Sequence, residues 1–403
     1  MTLHHAAEPT TPSSRPAIPV TVWMLGIVSM LMDVSSEMVN ALLPLYLASG
    51  LGASVLAIGF IEGLSVAVAT ATKYLSGLLS DYSHRAKTLA VLGYGIGALS
   101  RLIFPLAASV DQIVLAKAMD RVGKGIRGTP RDAIIAAVTP PEIRGASFGL
   151  RKSLDTVGGF VGPLLAIGAM LLLAGDIPAV FWVAALPAAL SVLVLVVAVR
   201  APESDAPAAG SAFRLADSLR LNRAVWSVIG IAAVIMLARF SEAFVLLKAL
   251  EAGFVPAWVP LSLVVMHAAY GLTAYPVGRL SDRIGTSGLL ITSLAFLVAA
   301  HLVLAFATTV LAYVAGTILW GLHMGFSQGL LGAMIAAATP NHLKGSAFGT
   351  FNLVTGVVVL IGNTAAGFLW QTQGSAAPFL LGALLSVAAM ALIAMARPAT
   401  TAR

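Results

Sequence analysis

The 403-residue sequence contains no cysteine, which excludes a disulfide framework, a thiolate metal site and a cysteine nucleophile. Charge is scarce as well. Only 10% of residues are Asp, Glu, Lys or Arg, against about a quarter in soluble domains. With 59% hydrophobic residues and a mean hydropathy of +0.94, the chain has too little polar surface to stay in water. Hydrocarbon removes that difficulty, because lipid solvates apolar side chains and helices satisfy their own backbone groups. A phosphate-binding Gly-x-x-x-x-Gly-Lys loop is missing, as is a His-Glu-x-x-His metal pair. ATP-driven and zinc-dependent chemistry therefore lack their residues, and no cofactor or metal is expected.

What the sequence does have is a basic excess, 24 Lys and Arg against 17 Asp and Glu. In a membrane chain this excess points to short cytoplasmic loops rather than to nucleic acid. The polar, proline-bearing residues 1–19 read as a cytoplasmic tail and not as a signal peptide. Apolar runs of bilayer-crossing length follow near 20–48, 54–79, 88–108, 112–136, 145–174, 178–199, 224–250, 257–279, 286–306, 309–337, 345–370 and 376–396, predicting about twelve helices. With the N-terminus inside, Arg85, Lys87, Arg144, Arg200, Arg214, Arg220, Arg223, Arg283, Lys344, Arg397 and Arg403 fall in inner segments, whereas the outer connections hold Asp111, Asp176 and Glu251. That asymmetry predicts an inner or plasma membrane protein with both termini cytoplasmic.

The chain repeats itself. Gly77-Leu-Leu-Ser-Asp81 recurs as Gly278-Arg-Leu-Ser-Asp282, and Thr139-Pro140 with Arg144-Gly145 and Phe148-Gly149 recurs as Thr339-Pro340 with Lys344-Gly345 and Phe348-Gly349. Ser36-Glu37 has a counterpart in Ser241-Glu242. The repeat divides the chain into a six-helix bundle over 20–199, a polar linker at 200–223, a second bundle over 224–397 and a short tail at 398–403. Two bundles entering from the same side are related by an axis along the membrane normal, with a cleft between them.

These features resemble the major facilitator superfamily over nearly the whole chain. Its loop signature is similar to Gly77 through Arg85, and more closely to Gly278 through Arg283 and Gly285. The first copy departs from it at Tyr82 and His84. Asp120-Arg121-Val-Gly-Lys-Gly125 resembles the family's membrane-embedded arginine motif, which implies a proton-coupling role for Arg121. Gly149, Gly158, Gly162 and Pro163 resemble the glycine-proline motif of the family's antiporters, with Ala166 and Ile167 where a terminal glycine pair would stand. The resemblance implies an all-α fold of two pseudo-symmetric six-helix bundles and a secondary transporter of the 12-span efflux branch.

The residues support candidate sites independently. Ionisable groups deep in a membrane are costly and default to functional candidates. Asp33 and Glu37 lie four apart, on one face of the first span, where like charge and burial favour a group that exchanges protons near neutral pH. Arg121, Lys124, Arg127 and Arg131 share one face of the fourth span, a basic stripe that must meet Asp33, Glu37, Asp155 or an anionic solute rather than lipid. Arg239, Glu242, His267, His323, Gln328 and Asn352 are further cleft candidates, although such residues also bridge helices in lipid. Glycines spaced by four, as at Gly158 and Gly162, permit close helix approach, and Pro163 removes a backbone donor. Asp81 and Asp282, with Gly77, Arg85, Gly278 and Arg283, are candidates for a cytoplasmic gate. Trp23, Trp226, Trp258 and Trp370 read as interfacial anchors.

The expected function is alternating-access export of a small solute in exchange for protons, by a monomer with no partner beyond solute, protons and lipid. Proton-coupled uptake of an organic anion or metal chelate is the alternative, and a non-transporting receptor ranks below both.

Overall fold

A backbone in hydrocarbon must satisfy its own hydrogen bonds, and every regular element among the described residues is helical. The computed structural model describes residues 17–82, 86–200, 220–284, 286–327, 330–340 and 343–395, with backbone only at 74–82, 282 and 284. Helices α1 (Val20–Leu45), α2 (Val55–Tyr82), α3 (Ala86–Ile103), α4 (Val110–Val138), α5 (Arg144–Leu172) and α6 (Ile177–Ala198) form the N-terminal bundle. The C-terminal bundle comprises α7 (Arg223–Ala238), α8 (Glu242–Glu251), α9 (Leu261–Ile284), α10 (Thr286–Ala305), α11 (Val310–Ser327), α12 (Leu330–Ala338), α13 (Lys344–Gln373) and α14 (Ala376–Met395). The seventh span is α7 and α8 with a break between them.

Eleven spans among the described residues are long and apolar enough to cross a bilayer. A twelfth long helix, α4, carries more acidic and basic side chains, of which Lys117, Asp120 and Arg127 are buried by its neighbours. The duplication is visible in the helix starts: α3 and α10, α4 and α11, and α5 and α13 each begin 200 residues apart. It extends to an N-cap. Ser109 Oγ accepts from the Gln112 backbone N–H at the start of α4, and Thr309 Oγ1 accepts from Ala312 N–H at the start of α11.

The bundles meet unequally along the membrane normal. At the end remote from the termini, one apolar cluster joins Ala41 and Leu45 of α1 to Phe244 and Val245 of α8, and another joins Ala243 and Leu247 to Met38, Leu42 and Ile58. At the end holding the termini, Val22, Leu25, Tyr94 and Ile135 pack within the first bundle, and Val225, Ile229, Ile335 and Ala347 within the second. The contact of α2 with α13 follows the same gradient. A Cβ on Gly367 would lie 2.6 Å from Val55 O and one on Gly63 2.7 Å from Leu360 Cα, whereas one on Gly356 would have 3.5 Å to Thr70. Among the described residues, the bundles thus pack most tightly against each other at the far end.

Trp23, Trp226 and Trp258 are exposed as anchors would be. Trp370 departs from that expectation. It is half-buried, with its ring 5.9 Å from Phe244 and 6.2 Å from Phe379, so it packs in the far-end seal.

Candidate functional site

The site begins with the packing of α1 on α5. These helices run side by side in the same direction, and at three successive turns Gly26 faces Leu154, Gly158 faces Met30 and Asp33, and Gly162 faces Val34 and Glu37. A Cβ at Gly158 would sit 2.6 Å from Met30 O and 3.1 Å from Asp33 Cβ; one at Gly162 would sit 2.7 Å from Glu37 Cβ. The glycine pair therefore sets how close α5 comes to the two acid-bearing turns of α1. Pro163 is buried within the same continuous helix, while Gly149 is exposed with nothing near its Cβ position.

Asp33 Oδ1 lies 3.8 Å from Arg127 Nη2. Glu37 accepts a hydrogen bond from Asn40 Nδ2 at 3.4 Å, and ionisable groups of both bundles, His267 and Glu242 as well as Lys124 and Asp33, lie near enough to act on its carboxylate. His267 belongs to the opposite bundle, and its Nδ1 stands 3.2 Å from Gly159 O on α5. Both halves of the chain thus converge on Glu37.

The α4 stripe is largely engaged. Asp120 is held by Arg101 of α3 at 2.6 Å and by Arg121 at 3.0 Å. Arg127 lies under the Tyr94 ring, 4.9 Å from its centroid, and Arg131 bonds Asp132 and Ser29 at 3.0 Å each. Lys124 is exposed. Sequence spacing directs Arg121 to the acids of the first span, whereas the structure gives it Asp120 and makes Arg127 the ion-pair partner of Asp33. Asp155 pairs with Arg151 at 2.7 Å, one helical turn away.

In the second bundle, α7 ends at Ala238 and α8 starts at Glu242, exposing backbone groups that need partners. Ser241 Oγ accepts from Ala243 N–H and caps α8, Asn363 Oδ1 accepts from Ser241 N–H at 2.6 Å, and His301 Nε2 lies 3.1 Å from Ala238 O. Arg239 and Glu242 flank this break, and Arg239 acts electrostatically on Tyr270 and His323. His323 itself lies wholly inside the bundle, Nδ1 at 2.8 Å from Ser293 Oγ, rather than on the cleft. Asn352 is half-buried on α13.

Of the gate candidates, Gly278 and Arg283 are exposed on α9, and Gly77, Asp81 and Asp282 lie on described helix backbone. The side chains of Asp81 and Asp282 are outside the described residues, as are Arg85 and Gln328 entirely.

Spacing did not single out Arg101 or Lys117. Arg101 is 1% exposed and bonds Ser35 Oγ, Ser36 Oγ and Asp120, and Lys117 pairs with Glu62 of α2. Their signal was an ionisable residue inside an apolar run. Two hundred residues on, the places of Arg101 and Asp120 are taken by His301 and Trp320, whose rings meet edge to face at 5.3 Å among Phe240 and Phe379. At these two positions the duplicated scaffold carries charge in one half and aromatic rings in the other.

The family model described as Major Facilitator Superfamily matches residues 25–267 and 249–403. The chain belongs to that superfamily and is a membrane transporter, not an enzyme. It is 28% identical over 378 residues to an uncharacterised MFS-type transporter of Methanocaldococcus jannaschii, covering 91% of this chain and 92% of that one. Among solved structures it resembles a mutant form of the nucleoside transporter NupG, with a TM-score of 0.80, 16% identity and coverage of 94% and 100%. It also resembles a bacterial homologue of the human lysosomal transporter Spinster in an inward-facing, unoccupied conformation, with a TM-score of 0.75, 15% identity and coverage of 94% and 97%.

Proposed function

We propose that this transporter exports a small solute in exchange for protons, with both termini on the cytoplasmic side and Asp33, Glu37 and Arg127 at the centre of coupling. The observation that carries this reading is the convergence on α1: two acids one turn apart, pressed against the Gly158–Gly162 face, with Arg127 beside Asp33 and with His267 and Glu242 of the other bundle acting on Glu37. A carboxylate that meets a fixed guanidinium in one state and a proton in another couples charge to movement of the halves. Arg121, braced by Asp120, acts through the position of α4. Asp81 and Asp282 are proposed to hold the cytoplasmic gate by accepting hydrogen bonds near helix ends.

A second reading, proton-coupled uptake of an organic anion, is favoured by the buried guanidinia of Arg127, Arg131 and Arg151 in one bundle. Proteoliposomes separate the two. Uridine, p-aminohippurate and ethidium probe a nucleoside, an organic anion and a lipophilic cation. Export by antiport predicts accumulation of a probe when the vesicle interior is acidic, and symport predicts accumulation when the exterior is acidic. Asp33→Asn keeps size and hydrogen bonding without the titration and is expected to retain probe exchange while losing gradient-driven accumulation. Full accumulation by this variant overturns the coupling role.

A further inference from the structure

At the far-end seal a charged group crosses between the bundles. Glu62, on α2 of the first bundle, divides its carboxylate: Oε1 accepts from Lys117 Nζ of α4, and Oε2 accepts from Ser241 Oγ at 3.2 Å. Ser241 is the cap of the broken seventh span, and its own N–H is held by Asn363 of α13. The surroundings are close-packed. Lys117 and Glu62 side chains are 4% and 16% exposed, Gly59 one turn away leaves no room for a Cβ against Asn363 O, and Gly63 meets Leu360. A hydroxyl-to-carboxylate bond in such a place is stronger than its counterpart in water.

We propose that Glu62 and Ser241 form the polar latch of the far-end gate, and that Lys117 makes the latch reversible. For the far end to open, α2 must leave α13 and the broken span, so the Glu62–Ser241 bond must break. A carboxylate released in this way would ordinarily be stranded in apolar surroundings, a heavy penalty against opening. Here Lys117 belongs to the same bundle as Glu62 and moves with it, so the acid keeps a counter-charge in both states. Ser241, for its part, retains the α8 cap. The bond therefore biases the equilibrium between the two states without trapping the carrier in one. This inference depends on alternating access of the two bundles and not on proton coupling at Asp33, so either can fail without the other.

The absence of native cysteine makes the test direct. Ala108 and Thr308 are exposed, lie between α3 and α4 and between α10 and α11, and stand on opposite bundles at the far end. Cysteines at these two positions, spin-labelled in the full chain in nanodiscs, report the far-end separation by double electron–electron resonance. Ser241→Ala and Glu62→Gln are each expected to raise the long-distance population several-fold. Ser241→Thr, which keeps hydroxyl and cap, is expected to match the parent, and Glu62→Gln with Lys117→Met covers a single variant that folds poorly by leaving no orphaned charge. Parent-like distributions in Ser241→Ala and in the Glu62→Gln/Lys117→Met pair overturn the latch. A shift in Glu62→Gln without one in Ser241→Ala also overturns it, since Glu62 would then act only inside its own bundle.

Discussion

Arg101 shows how one side chain fixes a site. Its guanidinium is buried and committed to Ser35 and Ser36 of α1 and Asp120 of α4, so it ties the acid-bearing helix to the basic stripe. A lysine offers a point charge without the fork that reaches three acceptors at once. Arg101→Met should therefore destabilise the protein by about 3 kcal/mol, the cost of leaving a buried charge with a partner missing, and Arg101→Lys should recover only part of it. Thermal unfolding in detergent measures this, and a melting temperature equal to the parent's for Arg101→Met would show that Arg121 alone satisfies Asp120. At the same scale, His323 illustrates the usual role of a polar group in lipid. It bonds Ser293 and braces two helices.

Among elements, the tight seam of α1 with α5 yields the cleanest prediction. Gly162→Ala puts a methyl 2.7 Å from Glu37 Cβ and 2.8 Å from Val34 O, so the helices must part; overpacking of this kind costs about 1–3 kcal/mol and should slow transport. Gly159→Ala, next but two along the chain and with nothing within 4 Å of its Cβ position, should lower neither stability nor rate, Ala being the better helix former. Equal losses in both variants would contradict the seam, since Ala is the better helix former at either position. Spans, repeat and glycine spacing were legible in the sequence because periodicity and hydropathy are local properties. The break in the seventh span was not. Ser36-Glu37 and Ser241-Glu242 carry the same start signal, yet α1 runs through the first and α8 begins at the second. In α1, Arg101 occupies the Ser35 and Ser36 hydroxyls, whereas His301 and Asn363 satisfy the groups exposed by the break. Those partners come from other spans, which a reading along the chain does not bring together.

For the whole molecule, duplication gives two bundles of one design, and divergence gives them different tasks. The first holds the ion pairs of Arg101, Lys117, Arg127 and Arg151; the second presents Phe240, His301, Trp320 and Phe379 at the corresponding level. At these positions the first bundle carries charge and the second rings, and His267 and Glu242 of the second bundle act electrostatically on Glu37; in the proposed mechanism, protonation in the first bundle alters its fit to the second. The sequence showed the acids and the stripe, but which guanidinium meets which acid depends on the rotation of α4, and the structure chose Arg127 for Asp33. The coupling claim is tested most directly by proton movement itself. Proteoliposomes carrying a pH-sensitive dye inside are challenged with uridine, p-aminohippurate and ethidium, for the parent and for Asp33→Asn, while solute flux is followed in parallel. The account predicts that a transported probe moves protons in the opposite direction in the parent and that Asp33→Asn exchanges the probe without moving protons; solute flux in the parent with no accompanying proton movement would contradict it.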